Sequence, residues 1–352
     1  MATTNYGVNA NETVKLWGRK LFRESLAQTF LSRFIGDGSN AIIQSKDDTS
    51  KGPGDRITNI LRVQLSGDGI SGDSTLEGSE ESLSTFTQNI LIDQLRHAVR
   101  SGGRMTEQRI PFSVREEARL GLSDWWADRI DTALFNQLCG NNAQSDTKFT
   151  GSNSVTAPDN DHQFWPGVIS ADESLTAAET MSIDLIDNIV MRAKTQEPIL
   201  RPVMVGGEPH YTMFLHPGQV KDLRTSTTTG QWLDIQKAAM SGGKVDNNPI
   251  FTGALGVYNQ VILHEATRCT LGVNSSTSVA VANTRRAVLM GSQAATVAFG
   301  RNNGGATMTW VEELFDYQNQ LGVSAGLVWG AQRNIFNSKS FGSIVLSTYS
   351  TV

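Results

Sequence analysis

Cysteine is almost missing from this sequence. Cys139 and Cys269 are the only two in 352 residues. Two cysteines can close one bridge at most, so no disulfide framework holds the fold, and they lack zinc-type spacing. The plain expectation is two buried thiols in a reducing compartment. Charge is scarce as well. Asp, Glu, Lys and Arg make up 18% of the chain, with a formal net charge of −5, against about 25% charged residues in ordinary soluble domains. No basic block stands out, which excludes the electrostatic footprint of a protein that grips nucleic acid. No run approaches the roughly 20 apolar residues of a membrane span. The opening MATTNYGVNANETVK has neither the charged start nor the apolar stretch of a signal peptide. The expectation is a chain made in the cytoplasm, with no membrane partner.

The length suits two domains or one elaborated domain, and it is enough for a real core without metals or disulfides. Hydrophobic residues make up 39%, and glycines number 33. A polar, weakly charged, glycine-rich chain fits extended strands with much surface hidden against other subunits. It also fits a secreted β-protein. Residues 1–11 are small and polar and read as a flexible arm. Residues 12–35 predict a helix: Val14, Trp17, Leu21 and Leu31 form one row beside Phe22, Leu26, Phe30 and Phe34, and Gly36-Asp37-Gly38 ends it. So wide an aromatic stripe has to be covered. After a turn at Lys51-Gly52-Pro53-Gly54-Asp55, Ile57, Ile60, Leu61, Val63 and Leu65 mark an extended run. A second run, Leu83 to Ser101, carries Phe86, Ile90, Leu91, Ile92, Leu95 and Val99, and its centre fits either strand or helix. Between the two lies Gly/Ser/Asp/Glu-rich sequence. The simplest shape is a long hairpin with an acidic tip. An isolated two-stranded hairpin is only marginally stable in water, so a partner has to cover this one.

Residues 113–139 predict a long helix. Ser113 and Glu116 have capping-box spacing. Val114, Ala118, Leu122, Trp126, Ile130, Leu134 and Leu138 then repeat every four residues, and Gly140 stops the helix. At ~1.5 Å per residue it runs roughly 40 Å. A four-residue row drifts around a straight helix, which suits one lying diagonally across a sheet. Residues 141–176 read as a polar loop with one apolar island, Phe164-Trp165-Pro166. Further on, Ile183, Leu185, Ile186, Ile189 and Val190 face one side of a helix over 181–195. Strands are expected at Val203–Val205 and Tyr211–Leu215, a helix opening at Pro217, and another from Trp232 to Met240. Phe251, Leu255, Val257, Val261, Ile262 and Leu263 are strand-like, as are residues 287–290. Leu321, Val323, Ala325, Leu327, Trp329 and Ala331 alternate with mostly small or polar residues, giving a strand with one buried face. The fold class is mixed α+β.

No motif carries chemistry. Gly322-Val323-Ser324-Ala325-Gly326 fits a hydrolase nucleophile elbow, but an elbow needs a helix after the serine, and the strand alternation runs straight through Ser324. Gly67-Asp68-Gly69-Ile70-Ser71-Gly72 fits a dinucleotide fingerprint in form only. The carboxylate-rich stretch after it has no helical periodicity and would repel phosphates. Asp68, Asp73, Glu77, Glu80 and Glu81 could offer calcium oxygens, though without EF-hand spacing, so a solvated acidic tip is the plainer reading. The histidines His97, His162, His210, His216 and His264 form no metal-spaced pair. Asp184 and Asp187 read as a wet helix face. Catalytic, cofactor and metal residues are all expected to be absent.

The order of segments resembles the major capsid proteins of tailed double-stranded-DNA phages, in their podovirus-type subfamily. The resemblance rests on Gly54-Asp55-Arg56-Ile57 leading into the hairpin, on Ser113 to Leu138 as a spine helix, on Phe214-Leu215-His216-Pro217, and on the run from Asn248 to Tyr258. It implies an N-terminal arm (1–50), an extension loop (51–111), a peripheral domain (112–200 and 301–352) and an axial domain (201–300). It implies a structural protein that self-assembles as hexamers and pentamers into an icosahedral shell around DNA, without sequence-specific binding. It implies a portal and a decoration protein as partners, and, since no long charged helical segment precedes the body, a separate scaffolding protein. An encapsulin-like compartment shell would share the fold. The subunit-contact candidates are Trp17, Phe22, Phe30, Phe34, Ile57, Leu61, Val63, Phe86, Ile90 and Leu95, with the four-residue row as the core of the spine helix.

Overall fold

The computed structural model describes residues 21–22, 24–26, 28–46, 54–62, 65, 69–72, 75, 77, 80–225, 256–300 and 308–351. The strands in order are β1 (Ile35–Gly36), β2 (Ile43–Lys46), β3 (Arg56–Arg62), β4 (Thr85–Leu91), β5 (Asp93–Arg100), β6 (Gln163–Phe164), β7 (Val203–Val205), β8 (Glu208–Leu215), β9 (Gly256–Tyr258) and β10 (Val261–Glu265). They continue as β11 (Gly272–Val273), β12 (Ala280–Val281), β13 (Thr284–Met290), β14 (Ala295–Phe299), β15 (Met308–Phe315), β16 (Gln320–Arg333), β17 (Ile335–Phe336), β18 (Lys339–Ser340) and β19 (Ser343–Tyr349). The helices are α1 (Arg104–Arg109), α2 (Val114–Leu138), α3 (Ile183–Thr195) and α4 (Pro217–Thr225).

β16 organises one sheet, of order β1-β2-β14-β16-β15 with β5 on the other edge of β16. Its alternating side chains Val323, Ala325, Leu327, Trp329 and Ala331 are all buried, as the period-two pattern predicts. β14 and β15 lie end to end along the same edge of β16. Between Phe299, paired with Trp329, and Met308, paired with Leu327, the chain advances nine residues while its partner advances two. On the opposite face, glycines let other backbone approach. A Cβ on Gly330 would collide with the Leu91 carbonyl oxygen.

α2 packs on this sheet, against β16 and β5. Ala118, Leu122, Trp126, Ile130, Leu134 and Leu138 are buried, while Val114 at the first turn is partly exposed. The expected capping box does not form. Ser113 is the N-cap residue, but its side chain caps nothing, and its backbone carbonyl accepts from Glu116 N and Glu117 N. The stop is as predicted: Gly140 takes φ 63°. Asn141 N reaches Asn136 O and Gly140 N reaches Gln137 O, closing a Schellman motif.

The second sheet runs β6-β19-β13-β8-β10-β9, with β7 on β8. It is covered on both faces, and this explains its continuous apolar strands. Phe214, Val288, Met290 and Val345 join the core under α2. Met213, Leu215, Ala287, Leu289, Ile344 and Leu346 face the core under α3, which buries Ile183, Leu185, Ile186, Ile189 and Val190. Asp187 is not merely wet: it accepts from Tyr258 Oη at 2.8 Å and Asn259 Nδ2 at 2.9 Å, tying α3 to the β9–β10 turn. The stretch expected as a plain polar loop contributes β6, which pairs with β19. It also contributes a buried hub. Asp172 accepts from Trp165 Nε1, Gln163 Nε2, Val273 N and Arg286 Nε, and pairs with Arg286 Nη2 at 2.8 Å. The Arg286 guanidinium then donates to the carbonyls of Cys139 and Gly140 at the negative end of α2.

The helix expected over 12–35 is interrupted. Leu21, Phe22, Glu24, Ser25, Leu26 and Gln28 are helical, Thr29 is extended, and Phe30–Phe34 is a 3-10 turn leading into β1. The expected helix from Trp232 to Met240 and the strand positions Phe251 and Leu255 lie outside the described residues.

Candidate functional site

The sequence places its unusual features in the hairpin of β3 and β4, and the structure divides that hairpin into two halves. Paired residues share a face: Ile57 with Ile90, Asn59 with Gln88, Leu61 with Phe86. At the root, Ile57 (4% exposed) and Ile90 (0%) are buried with Ile92 and Ala298. Asn59 Nδ2 donates to Thr296 Oγ1 at 2.9 Å. Gln88 donates to the Arg333 carbonyl at 2.7 Å and accepts from Ile335 N at 3.1 Å. The root is therefore bolted to its own body. Further out, that support ends. Phe86 is 37% exposed and Leu83 66%, Leu65 and Ile70 are exposed too, and on the opposite face of the ribbon Ile60, paired with Thr87, is 69% exposed. Hydrophobic side chains on and beyond this two-stranded ribbon are uncovered by their own chain among the described residues and make a candidate interaction surface. The run from Leu83 to Ser101 is two strands: β4 stays in the hairpin, while β5 crosses to β16, from Asp93 opposite Trp329 to Arg100 opposite Gly322.

This geometry redistributes the expected contact residues. Ile57 and Ile90 are consumed by the chain's own core, so neither can meet a neighbour. Leu95 also packs on the core under α2, and Leu61 is half-buried. Phe22 stacks edge-on against Phe299 at 5.6 Å, and Phe34 against Phe214 at 5.1 Å. Phe30 meets Phe135 and Phe214. These three line their own chain's core and anchor the segment before β1 to it. Of the expected set, Phe86 is the exposed one; Trp17 and Val63 lie outside the described residues. Ile60 and Leu83 were missed as contact candidates, although their place on the outer hairpin was readable.

That segment has a polar anchor as well. Asp131, buried on α2, accepts the backbone N–H groups of Phe30 at 2.7 Å and Leu31 at 3.1 Å. Burial pushes its carboxyl above the usual range, and these two donors pull part of the way back. Arg119 of α2 pairs with Glu24. A second apolar patch surrounds the β15–β16 turn, where Leu314, Phe315 and the fully exposed Tyr317 lie close to the start of α1 and its exposed Met105. Arg104 N donates to Asn319 of that turn at 3.3 Å.

Among the described residues nothing assembles a reaction centre. Ser324 lies mid-strand in β16 with its hydroxyl on the Val311 carbonyl, and no helix follows it. His97 stacks on Trp125, His162 holds Asp159 at 2.7 Å, and His264 packs on Phe34. Among the described residues no group of His, Cys, Asp or Glu could hold a metal ion, and no helix is long and apolar enough to cross a membrane. The glycine fingerprint and the proposed calcium ligands Asp68 and Asp73 fall partly or wholly outside the described residues.

Comparison with known proteins agrees with this picture. The family model described as phage capsid protein matches residues 5–352. The major capsid protein of Pseudomonas phage KPP25 is 29% identical over 373 residues, covering 97% of this chain and 96% of the relative. The capsid of Ralstonia phage GP4 superposes with a TM-score of 0.77 at 36% identity, over 92% of each chain. The capsid subunit of cyanophage Pam1 shares the fold at 17% identity, with a TM-score of 0.72 over 99% of this chain and 94% of that one. The chain belongs to the phage capsid protein family: it is a major capsid protein that forms the shell of the phage head, a structural subunit and not an enzyme.

Proposed function

We propose that the shell is built from hexamers and pentamers of this chain, with the outer half of the β3–β4 hairpin laid over an adjacent subunit. One observation carries the reading: a hairpin fixed at its root by Asn59, Gln88, Ile57 and Ile90 holds Ile60, Leu83 and Phe86 out in solvent. In this reading residues 1–50 are the arm and 51–111 the extension loop. Residues 112–200 with 301–352 are the peripheral domain, and 201–300 the axial domain around the symmetry axes. The patch at Leu314, Phe315 and Tyr317 is a second subunit contact. A separate scaffolding protein, a portal and decoration proteins are the partners. The shell encloses DNA without reading its sequence, which fits a net charge of −5 and the lack of a basic block.

Electron microscopy of the expressed chain, alone and with a co-expressed scaffolding protein, tests this. Closed shells or tubes of regular curvature are expected. A chain that stays monomeric under crowding, with its hairpin protected from protease, would overturn the hairpin's role.

A further inference from the structure

From residue 63 to residue 92 the chain carries five carboxylates, Asp68, Asp73, Glu77, Glu80 and Glu81, and no Lys or Arg. The next stretch inverts the sign. Residues 96–109 carry Arg96, Arg100, Arg104 and Arg109 against Glu107 alone. All four arginines are exposed, on β5 and α1. Arg96 and Arg100 share one face of the first sheet. They alternate with His97, which stacks on Trp125 of α2, so the arginines take the face away from α2. There Arg96 lies across Gly326 of β16, where an added Cβ would come within 2.9 Å of its Cγ. The Arg100 guanidinium sits 4.4 Å from the centre of the Phe315 ring. Val311 and Phe315 of β15 are on that same face, and both are exposed. Arg104 opens α1 beside Asn319. Among the described residues no carboxylate pairs with any of these four arginines, whereas the next two along the chain, Arg115 and Arg119, pair with Glu312 and Glu24. Glu313 and Asp316 border the strip, and Asp316 is already taken by Asn319.

We propose that this arginine strip receives the outer hairpin of an adjacent copy of the chain. Glu77, Glu80 and Glu81 of one copy meet Arg96, Arg100 and Arg104 of the next, while Leu83 and Phe86 cover Val311 and Phe315. The proposal rests on reading the outer hairpin as a subunit contact, and it names the surface that the hairpin meets. The hairpin and the patch beside β15 are then two halves of one contact. Charge complementarity carries the choice of occupant. The hairpin stretch is negative throughout, and the strip holds four arginines with no carboxylate partner. Neither surface can pair with its own copy, because like charges would face each other. The contact is therefore head-to-tail, and repeats of one head-to-tail contact close into rings. Arginine suits the role, since its planar fork can hold a carboxylate through two parallel bonds, and Arg100 does so with an aromatic ring beneath it. Exposed charges of this kind set the register and speed of docking, and salt screens them beyond about 10 Å.

Charge exchange in the full chain tests this, with shells counted by sedimentation and electron microscopy. One variant carries Arg96→Glu and Arg100→Glu, a second Glu77→Arg, Glu80→Arg and Glu81→Arg, and a third all five changes. Each reversal alone should lower the shell yield by about tenfold or more, with the unfolding midpoint of the free subunit unchanged, and the five together should restore most of it. An arginine reversal that assembles like wild type, or a five-fold variant that does not recover, would overturn the docking surface. The outcome is separable from the hairpin reading itself. If replacing Ile60 and Leu83 by Glu stops assembly while the arginine reversal does not, the hairpin is a contact and this strip is not its receiver. Should a variant fail to fold, a cryo-electron microscopy map of wild-type shells decides. Hairpin carboxylates of a neighbour within about 4 Å of Arg96 or Arg100 support the pairing, and a hairpin seated elsewhere ends it.

Discussion

At the scale of single residues, one carboxylate holds the backbone of the segment before β1. Asp131→Ala strands two backbone donors in a buried place, so the soluble subunit should lose about 1–3 kcal/mol in urea unfolding. Proteolysis should then start near residues 28–35, and an unchanged midpoint would show that Asp131 anchors nothing. His216 gives a pH signature. Its Nδ1 accepts from Gly218 N at 3.1 Å at the start of α4. Burial, then Arg285, lowers its pKa from 6.5 to about 4. The folded chain therefore binds fewer protons than the unfolded chain between those values. The stability it contributes is complete above pH 6.5 and is lost as pH falls towards 4. The slope is at most about 1.4 kcal/mol per pH unit. His216→Asn should flatten this part of the stability curve, and equal slopes in the two proteins would refute the assignment.

At the scale of elements, α2 shows what local sequence can and cannot encode. Its buried row was legible because one contiguous face meets one sheet, and its stop was legible because Gly140 can adopt a left-handed φ. Ser113 looked like a cap, yet the bond is absent. Ser113→Ala should therefore cost well under the ~1 kcal/mol of a working cap, whereas Trp126→Ala should cost about 3–5 kcal/mol by opening a cavity; thermal unfolding of both variants checks the contrast. The break at Thr29 was not legible. Asp131 creates it by claiming the Phe30 and Leu31 amides from about 100 residues away. The Asp172–Arg286 hub was hidden for the same reason, since no local pattern marks a buried carboxylate two of whose partners, Val273 and Arg286, lie more than 100 residues away. The pairing of the first run with the start of the second was legible, but neither the departure of β5 to β16 nor the cover of Ala298 over the root at Ile57 and Ile90 was.

At the scale of the whole molecule, the same division separates folding from assembly. Replacing Ile60 and Leu83 together by Glu should leave circular dichroism and unfolding midpoint nearly unchanged, because neither side chain is buried in the subunit. It should abolish shells in sedimentation and microscopy. Ile57→Glu should instead unfold the root and lower the stability of the free subunit. If the double variant assembles normally, the outer hairpin is not a contact.

The collinear pair β14 and β15 has a practical meaning. The ladder on that edge of β16 is fixed by Phe299 opposite Trp329 and resumes with Met308 opposite Leu327, so the register on either side does not depend on how much chain lies between them. Closure entropy grows only slowly with added length, by about 0.6 kcal/mol per doubling. A foreign epitope spliced between residues 303 and 304 should be carried by a normally folded subunit. One copy would then be displayed per subunit of the particle, and antibody binding to intact heads, or its absence, would show on which side of the wall that edge opens.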